Sequence, residues 1–332
     1  MREPSFWWRE PGLSAALLAP FAAIYGGVSA VRLRQPGRAV GVSVVCVGNL
    51  TVGGAGKTPA ALAIGQMLIE AGQRVFFLSR GYGGSLAGPV RVDPARHGAA
   101  NVGDEPLLLA KLAPTIVAAD RVAGAEMARS AGASIIVMDD GFQNPSLRKD
   151  CAILVVDGRR GIGNGRVIPA GPLRAPVAAQ LDHAHALLIV GAPSRAATAT
   201  LAEATARNIP IFHGHLEPDT DALAGLRGRR VLAFAGIGDP GKFFTTLAEA
   251  GISAPVTQAF PDHHRYSRAE AEALLARAAQ DNLLVVTTEK DHARMSGDEN
   301  LAALARAARA LPVTLRLQDE GALQRLLSAR MG

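Results

Sequence analysis

Six consecutive residues, Gly53-Gly54-Ala55-Gly56-Lys57-Thr58, carry the clearest chemistry in this chain. They follow a short apolar run and open a segment patterned as a helix. Glycines in such a turn let backbone N–H groups point inward at phosphate oxygens without Cβ obstruction. The helix N-terminus behind them adds partial positive charge. The predicted cradle is Thr51, Val52, Gly53, Gly54, Ala55, Gly56, Lys57 and Thr58. Lys57 is placed to neutralise the β- and γ-phosphates of a nucleoside triphosphate such as ATP, and the Thr58 hydroxyl to ligate Mg²⁺. The usual motif has a glycine where this chain has Thr51, and the three glycines that remain supply the turn's freedom.

A matching acid lies downstream. Ile135-Ile136-Val137-Met138 runs into Asp139-Asp140. Open parallel sheets place ligands at the carboxyl ends of their strands, and a carboxylate there holds Mg²⁺ directly or through water. Alone, two aspartates after a strand are more often a turn or a cap. Beside a phosphate loop they read as metal ligands. Three loop arginines, Arg80, Arg121 and Arg174, could clamp phosphate or substrate, although surface arginines are commonly just solvated.

These residues need a scaffold, and the patterning predicts one. Short β-branched runs at Val42–Val47, Val75–Leu78, Thr115–Ala118, Ile135–Met138, Ala152–Val156 and Ala186–Val190 read as buried parallel strands. Helical stretches at Pro59–Ala71 and Arg121–Ser130 lie between them, the first ending at Gly72 as a C-cap. The alternation predicts an α/β fold, a P-loop doubly wound and mostly parallel sheet. A second, smaller α/β unit is expected from Arg229. It comprises strands at Val231–Ala235, Leu283–Thr287 and Val313–Leu317, and a helix capped by Ser267 with Glu270 in the capping-box position. The expected boundaries are 1–38 for an N-terminal helix and basic collar, 39–207 for the P-loop unit, 208–228 for a linker and 229–332 for the second unit.

The collar follows an uncharged run, Leu13 to Val31, with Trp7 and Trp8 before it and Arg32, Arg34 and Arg38 after it. Indoles favour headgroup depth and basic residues the anionic cytoplasmic leaflet. The run reads as a membrane-associated helix, spanning or lying in the interface. A soluble core helix and a cleaved signal peptide, with Val28-Ser29-Ala30 as the cut site, are the alternatives. Export would separate an ATP-binding chain from ATP, so a retained anchor on the cytoplasmic face of the inner membrane is preferred.

The bulk composition narrows the partners. Hydrophobic residues at 48% against 19% charged indicate a folded globular chain. The net charge of +6 suits an acidic partner. Aromatics at 5%, with no aromatic-interleaved basic stretch, argue against nucleic acid. The two cysteines, Cys46 and Cys151, sit inside apolar runs, which predicts buried thiols and a reducing compartment.

Seven segments, taken together, resemble the tetraacyldisaccharide 4′-kinases. They are GNLTVGGAGKTP (48–59), SRGYGG (79–84), VGDEPLLLA (102–110), DDGFQ (139–143), PAGPLR (169–174), FPDHHRY (260–266) and TTEKD (287–291), in order across nearly the whole chain. Asn144, Ala55 and His292 stand where the family usually has histidine, threonine and alanine. The resemblance implies transfer of the ATP γ-phosphate to the 4′-hydroxyl of a lipid A disaccharide precursor at the inner-membrane surface, with no obligate protein partner. It also implies that Asp104 is the base acting on the hydroxyl together with a histidine of the FPDHHRY segment, His263 in preference to His264. The residues alone favour Asp104 as a cap of the apolar helix behind it. Gln143 and Glu105 are candidates for site support, and Lys290 and Asp291 for a place at the edge of the second unit. A membrane-associated ATPase switch acting on a protein partner would explain the phosphate loop and the anchor, but not Asp104 or the histidines. A carboxylating or amide-forming enzyme of a soluble metabolite would leave the apolar helix unexplained.

Overall fold

The computed structural model describes residues 3–331. Thirteen strands are described: β1 (Ser43–Asn49), β2 (Val75–Ser79), β3 (Val90–Arg91), β4 (Thr115–Val117), β5 (Ile135–Asp139), β6 (Cys151–Asp157), β7 (Ala186–Val190), β8 (Ile211–Pro218), β9 (Arg230–Ala235), β10 (Ser253–Ala259), β11 (Leu284–Thr288), β12 (Arg309–Leu311) and β13 (Val313–Leu317). Nine form one sheet in the order β13-β8-β7-β6-β1-β5-β2-β4-β3, and four form a second, all-parallel sheet, β10-β9-β11-β12.

β1 lies in the interior of the large sheet, parallel to β5 on one side and β6 on the other. Its residues alternate between two cores: Val44 and Cys46 face one, Val45 and Val47 the other. Burial on both faces is why these strands read as unbroken apolar runs. Both cysteines are free and buried there, and burial pushes the Cys46 thiol up to about 12. The helix Lys57–Glu70 crosses the second face, and Gly65 sits where a Cβ would come within 2.4 Å of the Phe77 ring. Gly72, at φ 81°, closes that helix, its N–H and that of Gln73 capping the carbonyls of Ile69 and Leu68.

The expected linker and second-unit boundary are corrected by the pairing. β8, inside the segment expected as linker, is a parallel strand of the large sheet next to β7. The chain then forms the small sheet and returns, so β13 pairs antiparallel with β8 rather than joining the second unit. Leu315 of β13 and Leu323 and Leu327 of the following helix complete the core that contains Ile64 and Leu68. The two crossing segments touch, Asp219 N–H donating to Pro312 C=O.

The N-terminal helix, Leu13–Leu33, lies along the large unit. Ala15, Ala22 and Gly26 face inward, and Gly26 sits on Pro176 and Val167. Leu13, Leu17, Phe21, Ile24, Val28 and Val31 form an exposed stripe at spacings of three and four. Trp7 and Trp8 differ from expectation. Their indole N–H groups donate to Pro169 C=O and the Glu3 carboxylate, and Arg160 stacks over Trp8 at 4.7 Å. Both indoles thus have protein partners and tie the segment ahead of the helix to the loop after β6.

Candidate active site

The phosphate loop leaves the carboxyl end of β1, with Gly53 at φ 90° and Gly56 at φ 89°. These left-handed angles turn the chain into the helix at Lys57 and explain why glycine is needed at those two positions. Pro59 sits in the helix's first turn, where a missing N–H costs no intrahelical bond. Lys57 and Thr58 are both buried. The Lys57 ammonium lies 3.7 Å from Asp140 Oδ2 and 3.4 Å from Gly53 C=O.

Asp139 ends β5 beside this loop and is buried. The Thr58 hydroxyl donates to its Oδ2 at 3.0 Å, while Oδ1 is enclosed without a hydrogen-bond partner. Burial, with Glu105 and Asp140 nearby, raises the carboxyl to about 7. A buried carboxylate with one orphaned oxygen, next to a hydroxyl and a phosphate loop, fits a divalent cation. Among the described residues no cluster of three or more His, Cys, Asp or Glu exists to hold a metal. That agrees with Mg²⁺, which takes few protein oxygens and completes its shell with phosphates and water.

Asp140 serves differently from its neighbour. Its backbone is left-handed, φ 54°, and its carboxylate receives a two-nitrogen fork from Arg174, NH1 to Oδ1 at 2.5 Å and NH2 to Oδ2 at 3.1 Å. Burial opposes ionisation, but Lys57 and Arg174 outweigh it and hold the group well below the usual carboxylate range. Arg174 also donates through Nε to Thr51 C=O and through NH1 to Gln143. Gln143 continues to Asn49 C=O and Gln180. The guanidinium proposed for substrate is therefore bonded to the base of the loop. Arg121 is buried, donating to Ala118 C=O, whereas Arg80 is exposed.

Asp104 opens the helix Asp104–Leu109 and is buried. The N-cap is Gly103, at φ 88°, and Asp104 Oδ1 accepts the neighbouring Glu105 N–H at 2.9 Å. The same oxygen lies 3.5 Å from His263 Nδ1. His263 comes from the second unit, on the loop after β10, with φ 53° and its ring edge-on to Tyr82 at 4.9 Å. Strained backbone at both Asp140 and His263 marks positions that the surrounding structure has to enforce. His264 turns away to Glu270 Oε1 at 3.0 Å and stacks on Phe260. The structure thus brings His263, and not His264, to Asp104.

One participant escaped the sequence reading. Arg294, on the helix Glu289–Met295, donates through Nε to Asp104 Oδ2 at 3.1 Å, and its NH2 contacts the same oxygen. One turn earlier on that helix, Lys290 pairs with Glu105 at 2.7 Å. Lys290 and Arg294 are four residues apart and so share a face. That spacing was visible, but its acidic partners lie 185 and 190 residues away. Asp291 is fully buried beneath Gly236, accepting its N–H and the Tyr266 hydroxyl. Burial would raise the Asp104 carboxyl, but Lys290, the His263 hydrogen bond and Arg294 hold it below the carboxylate range. Asn144 spends its side chain on Ser146, closing the turn after Gln143. His292 bonds Ala305 C=O.

Residues 14–332 match the family model of tetraacyldisaccharide-1-phosphate 4′-kinases. A tetraacyldisaccharide 4′-kinase of Rhodopseudomonas palustris strain BisA53 is 54% identical over 332 residues, covering 100% of this chain and 96% of that protein. One from Methylobacterium sp. strain 4-46 is 54% identical over 332 residues, covering 100% and 97%. A crystal structure of LpxK from Aquifex aeolicus in complex with ATP superposes with a TM-score of 0.73 at 27% identity. It covers 96% of this chain and 99% of that one.

Proposed function

The chain belongs to the tetraacyldisaccharide-1-phosphate 4′-kinase family, and from that premise we propose how its residues divide the work of phosphoryl transfer. The enzyme is a kinase that moves the γ-phosphate of ATP to the 4′-hydroxyl of a lipid A precursor. Such transfers are catalysed chiefly by positioning and by stabilising charge. The backbone N–H groups of the loop at Gly53–Gly56 cradle the phosphates, and Lys57 neutralises charge on the β- and γ-oxygens. Thr58 and Asp139 would hold Mg²⁺, which when bound neutralises charge building up between those oxygens. Asp140 and Arg174 fix the loop's base, from Thr51 C=O to the Lys57 ammonium. Arg80, exposed at the carboxyl end of β2, is the arginine free to meet a substrate phosphate.

Asp104 and His263 receive the proton of the 4′-hydroxyl as its oxygen bonds to phosphorus and ADP departs. The observation that carries this assignment is the approach of His263 Nδ1 to Asp104 Oδ1, 3.5 Å across the two units. With Nδ1 facing the carboxylate, Nε2 faces outward, 3.9 Å from Asp262 Oδ2. A protein-switch activity would leave this pair without a task.

The exposed stripe of the N-terminal helix seats the enzyme on the inner membrane's cytoplasmic face, where an acylated substrate resides. The inward face of that helix is packed on the protein, so it lies in the interface rather than crossing. Neither nucleic acid nor an obligate protein partner is part of this scheme.

The test is transfer of label from γ-labelled ATP to detergent-dispersed tetraacyldisaccharide 1-phosphate, with Asp104→Asn beside the wild type. Labelled lipid, and a fall in kcat of roughly 10²-fold or more in the variant, is expected for loss of a positioned base. An undiminished variant would return Asp104 to a structural role. Unlabelled lipid from folded, ATP-binding wild type would refute the whole assignment.

A further inference from the structure

We propose that Arg294 is a positioning residue for phosphoryl transfer, holding the Asp104 carboxylate in register with His263 across the boundary between the two units. The proposal rests on the assignment of Asp104 and His263 as the proton-accepting pair. Arg294 is buried, with a side chain only 7% exposed, and each of its three nitrogens is committed. Nε and NH2 close on Asp104 Oδ2. NH1 donates to Asp291 Oδ1 at 2.7 Å, to Gly236 C=O at 3.0 Å and to His264 C=O at 3.4 Å. Gly236 C=O accepts a second bond, from the His263 backbone N–H at 3.1 Å. One guanidinium therefore spans from the carboxylate of Asp104 to the backbone that carries the His263 imidazole.

The division of Asp104's oxygens follows from this fork. With Oδ2 taken by the arginine, Oδ1 is left for Glu105 N–H and His263 Nδ1. A planar guanidinium fixes direction as well as distance, which a single ammonium does not. Gly236 accommodates the arrangement, since a Cβ there would meet Asp291, Tyr266 and Arg294 atoms at 3.1–3.2 Å. The charged groups around Asp104 are Glu105 on its own helix, Lys290 and Arg294 on the helix after β11, and Asp262 and His263 on the loop after β10. Asp291 and Tyr266 lie behind the arginine. Lys290 is occupied by Glu105 at 2.7 Å. Arg294 is thus the cation in direct contact with Asp104, and its charge favours the ionised carboxylate.

The experiment measures kcat and KM for ATP and for the lipid acceptor in detergent micelles at pH 8. It uses the full chain and the variants Arg294→Met, Arg294→Lys and Asp104→Asn. For Arg294→Met kcat is expected to fall by roughly 10-fold or more with KM for ATP unchanged, because a misaligned proton acceptor slows transfer without touching the nucleotide. Arg294→Lys restores the charge without the fork, so its kcat stays low at unchanged KM for ATP. A folded Arg294→Met with wild-type kcat, or with its loss confined to KM, overturns the proposal. If that variant does not fold, because Asp104 and Asp291 are left facing each other, Arg294→Lys decides alone. A wild-type kcat there overturns the proposal, and a reduced kcat at unchanged KM for ATP supports it. An active Asp104→Asn would instead remove the assignment on which the inference rests, a separate failure.

Discussion

Asp139→Asn should make the ligand-free protein more stable at alkaline pH while abolishing its turnover. The carboxyl is buried, lies among Glu105 and Asp140, and titrates at about 7 instead of the ordinary 3.8. A folded-state value above the unfolded one means that the folded protein holds a proton the unfolded chain has lost. This contribution to stability is fully present below the unfolded value and is lost as pH rises through the folded one. The window therefore runs from roughly pH 4 to 7. Each unit between the two values corresponds to about 1.36 kcal/mol, so the full excursion would be roughly 4 kcal/mol. Relaxation and water entry reduce such figures for buried groups, and about 1–3 kcal/mol is the working expectation. The amide has no charge to desolvate and keeps an acceptor for the Thr58 hydroxyl. Thermal unfolding in EDTA from pH 5.5 to 8.5 tests this. The variant should melt above the wild type at pH 8, with the difference shrinking toward pH 5.5. Adding Mg²⁺ and ATP should raise the wild-type midpoint and leave the variant's nearly unchanged, since only a protein that binds the ligand gains stability from it. A variant that melts lower at pH 8, or a difference independent of pH, would refute the reasoning.

Two further outcomes follow from packing and surface. Gly65→Ala gains up to about 1 kcal/mol of helix propensity, but its methyl would come within 2.4 Å of the fully buried Phe77 ring. Overpacking of about 1–3 kcal/mol outweighs that gain, so the chemical denaturation midpoint should fall, and a rise would show that the ring can move aside. Replacing Leu17, Phe21 and Ile24, each more than 60% exposed, with serine removes side chains worth about 1.5–3 kcal/mol apiece on burial. Flotation with anionic vesicles should then lose at least about tenfold in bound enzyme, with kcat on detergent-dispersed substrate retained, and undiminished binding would place the membrane contact elsewhere.

Much of this enzyme is written locally. β7 falls at Ala186–Val190 as patterned, and the helix at Arg121–Ser130 likewise, because strands buried on both faces and a well-capped helix are specified by neighbouring residues. The Ser267–Glu270 capping box forms as read. The phosphate loop is equally local: its glycines, lysine and threonine act through a single turn of backbone, so their order announces their chemistry. Three features depended on distance. β13 reads as an ordinary short strand, and only its pairing with β8, 95 or more residues earlier, assigns it to the large sheet. Arg294 looks like a surface residue of a short helix until the second unit docks Glu289–Met295 against Asp104–Leu109. Its charge then becomes a partner for a carboxylate 190 residues away. The choice between His263 and His264 is of the same kind. Their residue type and position do not separate them, although the family resemblance favours His263, and a left-handed turn of backbone at His263 sends one ring to Asp104 and the other to Glu270. Local sequence determined the elements and the phosphate-binding turn, because both are set by interactions within a few residues. The pairing of Asp104 with His263 and Arg294 was decided by tertiary structure, because side chains on two different units acquire partners only when those units meet.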